Sequence, residues 1–119
     1  MKWVVGVLVC ALSFAAWRAC VHSLQRDAAL RISGACHHLE YSSLSATDPE
    51  ALALEIQSLQ IYYGLNTGRV SDSRLQKVVR RDYENTMAYS FAALHRMATN
   101  NASTNMSAWL TDWLKKYEH

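Results

Sequence analysis

Residues 3–17 read WVVGVLVCALSFAAW, a run of fifteen residues without a charge, flanked by Lys2 and Arg18. As a helix this run spans ~22 Å at ~1.5 Å per residue, short of a ~30 Å hydrocarbon core. Three roles fit such a segment. A secretory signal has a basic start, an apolar stretch of this length and small residues before the cut; Ser13 and Ala15 supply the small pair, with cleavage before Ala16. A membrane anchor gains the missing length if the helix continues through Ala19, Cys20, Val21 and Leu24, with Arg18 reaching back to the headgroups. Trp3 and Trp17 bracket the run as interfacial aromatics do. A helix buried in a soluble core is the third role. The anchor is preferred: a single-pass segment over residues 1–24, with the signal peptide as its alternative. A lipoprotein is excluded, because Val9 stands before Cys10 and Arg18-Ala19 before Cys20, where small uncharged residues are needed. Lys2 on one flank, against Arg18, Arg26 and Arg31 offset by Asp27 on the other, leaves the side of the body open.

Outside this run the chain is ordinary and polar. Its 119 residues support one domain, and about 95 of them lie beyond the apolar segment. That is enough for one modest helical core. A single Pro and four Gly argue against a loop-rich or low-complexity chain. Twelve Lys and Arg against ten Asp and Glu give +2, which does not describe a nucleic-acid binder. Three Cys are too few for a disulfide scaffold.

Helical spacing continues beyond Arg18. Cys20, Leu24, Ala28, Arg31/Ile32, Ala35 and Leu39 recur at steps of three and four, with Ser33-Gly34 as the place for a kink. No Pro/Gly-rich linker separates this stretch from the anchor, so the two can form one rod. It ends near Tyr41 in a polar stretch. Thr47-Asp48-Pro49-Glu50 then starts a helix: Thr47 or Asp48 caps the free N–H groups, Pro49 needs no partner, and Glu50 suits the positive dipole end. Leu52, Ile56, Leu59 and Tyr63 form its stripe, and Gly64 is the expected C-cap. Ser71 or Asp72 caps the next helix, which runs to about Thr99. Its stripe is Leu75, Val78/Val79, Asp82/Tyr83, Met87, Phe91, Leu94 and Ala98. After a polar loop, Met106, Trp109, Leu110, Trp113, Leu114 and Tyr117 fall on one face of a last helix. No long run alternates with period two. The expected fold is therefore all-α: an N-terminal transmembrane or signal helix over 1–24, a helical extension and polar connector over 25–46, and a three-helix bundle over 47–119.

Chemistry-bearing residues are sparse. Cys20, His22, Cys36, His37 and His38 are of the types zinc prefers. On one helix, however, Cys20 and Cys36 lie ~24 Å apart, and His37 and His38 diverge by ~100°. Neither a metal nor a Cys20–Cys36 disulfide is expected from that geometry. Arg69, Arg74, Lys77, Arg80 and Arg81 have only Asp72 among them. A phosphate or anionic-lipid surface is one use for this run, with Arg74, Lys77, Arg80 and Arg81 as its contacts. A solvated helix face, with Glu55 near Arg80 and Arg81 across a hairpin, is the plainer and preferred account. Trp109, Trp113 and Tyr117 suit a bundle core, a partner's groove or a membrane interface alike. His95 has no carboxylate three or four residues away. Asn101-Ala-Ser103 and Asn105-Met-Ser107 are formal glycosylation sequons. No phosphate loop, nucleophile elbow, HExxH or paired CxxC is present.

These features lead to a non-catalytic accessory or assembly subunit of a larger membrane complex, held by its N-terminal helix. Its expected partner is a protein contacted through Trp109, Trp113 and Tyr117. No cofactor, metal, nucleic acid or small-molecule substrate is expected. A secreted helical binding module released by signal cleavage is the alternative, and a Cys/His metal protein a weaker one.

Overall fold

The computed structural model describes residues 2–100 and 104–118, with the backbone alone described at 100 and 104–107. It is all-α. Helix α1 spans Lys2–Ser45, α2 Pro49–Asn66, α3 Ser73–Asn100 and α4 Thr104–Tyr117; a 3-10 turn, Thr67–Arg69, joins α2 to α3. No strand occurs among the described residues. The two sequons fall outside the residues whose side chains are described.

α1 is a single helix of 44 residues, and the molecule is 82 Å long but only 24 by 18 Å across. Ser33-Gly34 does not interrupt the helix. A Cβ at Gly34 would meet no neighbour, so the glycine sits on an open face. Every residue from Lys2 to Cys20 is exposed, and Val21 is the first to touch the rest of the chain. That bare length is ~29 Å at the helical rise, close to a hydrocarbon core. α1 is thus long and apolar enough near its N-terminus to cross a membrane or serve as a signal, and none of its apolar window is buried.

The second half of α1 behaves differently. Ala29, Ile32, Cys36, Leu39 and Ser43 are buried at alternating steps of three and four. The three helices expected after residue 47 all form; α2 and α3 pack on this stripe, and α4 packs on α2 and α3, so the bundle has four helical members. Small residues make the contact close. Ser33 Oγ donates to Asp82 Oδ2 at 2.9 Å, and Thr86 Oγ1 donates to Glu40 Oε1 at 2.8 Å. Ser43 Oγ donates to the Leu39 carbonyl at 2.8 Å and lies 3.2 Å from Ser90 Oγ. These pairs advance together along both chains, so α1 and α3 run parallel. Each buried hydroxyl has a partner, as burial away from water requires. The described residues leave no buried side-chain N or O without one.

α2 returns antiparallel to α1. Asp48 caps it, accepting from the Glu50 N–H at 3.1 Å, with Pro49 in the first turn. Leu52, Ala53, Ile56 and Leu59 are buried. Gly64 does not cap the helix. The chain stays right-handed to Asn66, where Thr67 is the cap and its N–H donates to the Tyr63 carbonyl. No described glycine adopts positive φ, the conformation a glycine cap provides. Asp72 caps α3, accepting from the N–H groups of Arg74 (2.9 Å) and Leu75 (3.2 Å). The α2–α3 contact carries Tyr63 stacked on Tyr83, with centroids 3.9 Å apart and planes 6° from parallel. Val79, Phe91, Ala93 and Leu94 of α3 complete the core with Leu110 and Leu114 of α4.

Candidate functional site

The aromatic face of α4 divides between the bundle and solvent. Trp113 is half-buried, with its ring centroid 5.9 Å from Phe91 and 5.0 Å from Tyr117. Tyr117 is tied to α2: its hydroxyl accepts from Gln57 Nε2 at 3.4 Å and its carbonyl from Gln60 Nε2 at 3.2 Å. Trp109 stands apart, 40% exposed. Trp113 and Tyr117 therefore close the bundle, and Trp109 alone of the three keeps substantial free area. Trp113→Ala should cost about 2 kcal/mol, below the full range because the ring is partly exposed. That lowers the melting temperature by about 10 °C for a domain of this size. Trp109→Ala should stay within about 0.5 kcal/mol. Thermal melts of the detergent-solubilised protein check both; equal shifts would show that the face does not divide this way.

The cations of α3 are not neutralised as the hairpin geometry implied. Arg74, Lys77, Arg80 and Arg81 are all exposed. Among the described residues the ion pairs are Arg31–Asp27 at 3.1 Å, His37–Glu40 at 3.4 Å and His95–Glu118 at 2.8 Å. Glu55 lies instead beside α1, lining a groove with His38 and Ser58. The α2–α3 hairpin is indeed antiparallel, but Glu55 projects from the side of α2 that looks toward α1. Placement along the fold is informative: the Asp72 N–H donates to Gln25 Oε1 at 2.8 Å, which fixes the start of α3 level with residue 25 of α1.

The cysteines and histidines stay scattered. Cys10 and Cys20 are exposed, Cys36 is buried, and all three are free thiols. Burial, as the largest influence, pushes the Cys36 thiol up to about 11, so it packs as a small apolar side chain. No three metal-type ligands converge among the described residues. His95 finds its carboxylate in Glu118 at 2.8 Å, a partner 23 positions away that helical spacing does not reach.

α2 carries a second stripe that periodicity does not separate from the first. Leu54 is 57% exposed, Ile61 56% and Leu65 76%. With Ser58 between them, they repeat at i, i+4, i+7 and i+11, one helix face. Beside Leu54 runs an apolar groove of about 380 Å³ between α1 and α2, lined by Ala35, His38, Leu39, Ser58 and Tyr62. A helix apolar on all sides is ordinarily covered on all sides. Glu50 and Glu55 are the only charges in α2, and that scarcity is the signal in the sequence. No family model, curated protein or solved structure matches the chain.

Proposed function

We propose that the protein is a non-catalytic, membrane-anchored accessory or assembly subunit, held in a bilayer by the first half of α1. The observation that carries this reading is the continuity of α1. One unbroken helix is bare and apolar from residue 3 to 17, then supplies core residues from 29 to 43. No flexible joint separates the two halves, so the body stands at a fixed distance and orientation beside the bilayer. Cleavage before Ala16 would leave Trp17 and Leu24 exposed on a free helix end, which favours the anchor over a secreted module. For the partner we assign the outer face of α2 rather than the inner aromatic residues of α4. Its stripe of Leu54, Ile61 and Leu65 descends along α1 toward the anchor, the path of a helix leaving the same membrane. Trp109 adds a smaller exposed contact on α4.

Ile61→Glu tests this assignment. The tagged full chain is purified in mild detergent before and after the change. A wild-type chain that retains an integral membrane protein, and a variant that loses it with an unchanged melting temperature, is the expected result. An interface anchor of this kind is worth about 2 kcal/mol or more, a fall of about 30-fold in affinity. Equal recovery by both chains, or a wild-type protein that is monodisperse and alone, would overturn the assignment.

A further inference from the structure

We infer that the membrane-proximal end of the body is a basic collar that docks on the anionic phospholipid headgroups around its own anchor. The inference rests on the reading of α1 as an anchor and adds a second, independent contact to that membrane. Three segments distant in sequence contribute to it: Arg18 and Arg26 from α1, Arg69 from the α2–α3 turn, and Arg74 and Lys77 from the first turns of α3. All five are exposed.

The fold places Arg26, Arg69, Arg74 and Lys77 within ~5 Å of one level, while Arg18 lies about two turns nearer the anchor, its guanidinium 5.9 Å from the Phe14 ring centroid. The Asp72–Gln25 hydrogen bond pins the start of α3 to residue 25. Arg69 lines a groove of about 610 Å³ with Val21, Leu24 and Arg31. α1 and α3 then run parallel, so height above the membrane can be read along α1 at ~1.5 Å per residue. If the hydrocarbon ends near Val21, where α1 first meets the body, Arg69 and Arg26 fall in the ~5–7 Å headgroup layer. Arg74 and Lys77, level with residues 26 and 29, stand ~7–12 Å from the hydrocarbon edge, and their long side chains reach back toward the phosphates. Arg80 and Arg81, level with residues 32 and 33, stand ~16–18 Å away and make no headgroup contact.

Charge at this level is complementary to an anionic leaflet. The acidic groups there are Asp27, which is paired with Arg31 at 3.1 Å, and Asp72, whose Oδ1 accepts from two N–H groups of α3. Neither pairs with Arg18, Arg26, Arg69, Arg74 or Lys77. Each cation held near an anionic surface favours the docked geometry by about five-fold at physiological salt.

Reporters at two glycines test the collar in the full chain. A Cβ at Gly68 or at Gly34 meets no neighbour within 4 Å, so Gly68→Cys and Gly34→Cys can each carry a fluorophore. Cys10→Ala and Cys20→Ala remove the other exposed thiols. The protein is reconstituted into phosphatidylcholine vesicles with or without phosphatidylserine, each doped with a headgroup-quencher lipid. Quenching at position 68 should rise with phosphatidylserine and fall with added salt, while position 34 changes little. Arg69→Gln with Arg74→Gln should lower the docked-to-undocked ratio about 25-fold; Arg80→Gln with Arg81→Gln should leave it unchanged. Inserted protein with the same quenching in both vesicles, or equal loss from the two double variants, overturns the collar and leaves the anchor standing. Protein that carbonate strips from both vesicles overturns the collar and the anchor together. A saturable response at position 68 to inorganic phosphate alone, in detergent, overturns the lipid as occupant in favour of a soluble anion.

Discussion

A chain that begins at Ala46 should fail to fold, while one that begins at Ser23 should melt cooperatively. The shorter chain keeps every helix expected of the body, α2, α3 and α4, yet loses the face on which α2 and α3 pack. Ile32 and Cys36 are fully buried, and Ala29, Leu39 and Ser43 nearly so. Burying a side chain such as Ile or Leu contributes about 1.5–3 kcal/mol. Losing Ile32 and Leu39, with the matching surfaces opposite them, approaches the ~5–10 kcal/mol that a domain of this size holds in total. Thr86 would lose Glu40 as its hydroxyl partner, and Ser90 would lose its neighbour Ser43. Within the full chain, Ile32→Ala should cost about 2–5 kcal/mol, as much as Ile56→Ala or Phe91→Ala, the range for large-to-small core changes. Circular dichroism and urea titration of the two truncations check the first expectation. A cooperative transition in the chain from Ala46 would show that α1 is not part of the core.

The second large effect concerns location. Leu8→Arg together with Leu12→Arg should move the protein from the carbonate-resistant pellet to the supernatant. The two positions share one face of α1, and both are exposed. Each Arg near the centre of a spanning helix costs about 2.5–3.5 kcal/mol on insertion scales. Two shift the insertion equilibrium by roughly four orders of magnitude. Neither side chain touches the bundle, so the melting temperature of the body should not change. That combination separates a lost anchor from a lost fold. A wild-type protein already in the supernatant, or a mature N-terminus at Ala16, would show that the segment is a signal or a soluble helix instead.

The helices were legible because their signals are local. Asp48-Pro49 and Asp72 cap where capping chemistry predicts, and the Leu52–Ile56–Leu59 stripe is buried. The Gly64 cap failed because Asn66 and Thr67 continue the right-handed turn, and nothing local forces a reversal at the glycine. Part of the α1 stripe was legible: Ile32 and Leu39 are buried, whereas Cys20 and Leu24 are exposed. Its other buried members, Ala29, Cys36 and Ser43, are small and weakly apolar, so hydrophobic periodicity undercounts them. On α4 the sequence offers six apolar residues on one face but no way to tell a residue that fills a gap from one that overlooks solvent.

By itself, then, the sequence determined the all-α class, the capped helix starts, the uncharged N-terminal run and the absence of recognised catalytic motifs. Each of these depends on residues within one or two turns of each other. Only the tertiary structure decided that α1 is both a bare rod and a core helix, that Trp113 and Tyr117 face inward, and that α2 presents a second apolar face. It also decided that Arg69 and Arg74 stand level with Arg26. All four depend on which helix lies beside which, and in what register. That is set by close packing of small residues and by hydroxyl pairs such as Ser43–Ser90, 47 positions apart, whose energy exists only once distant segments meet.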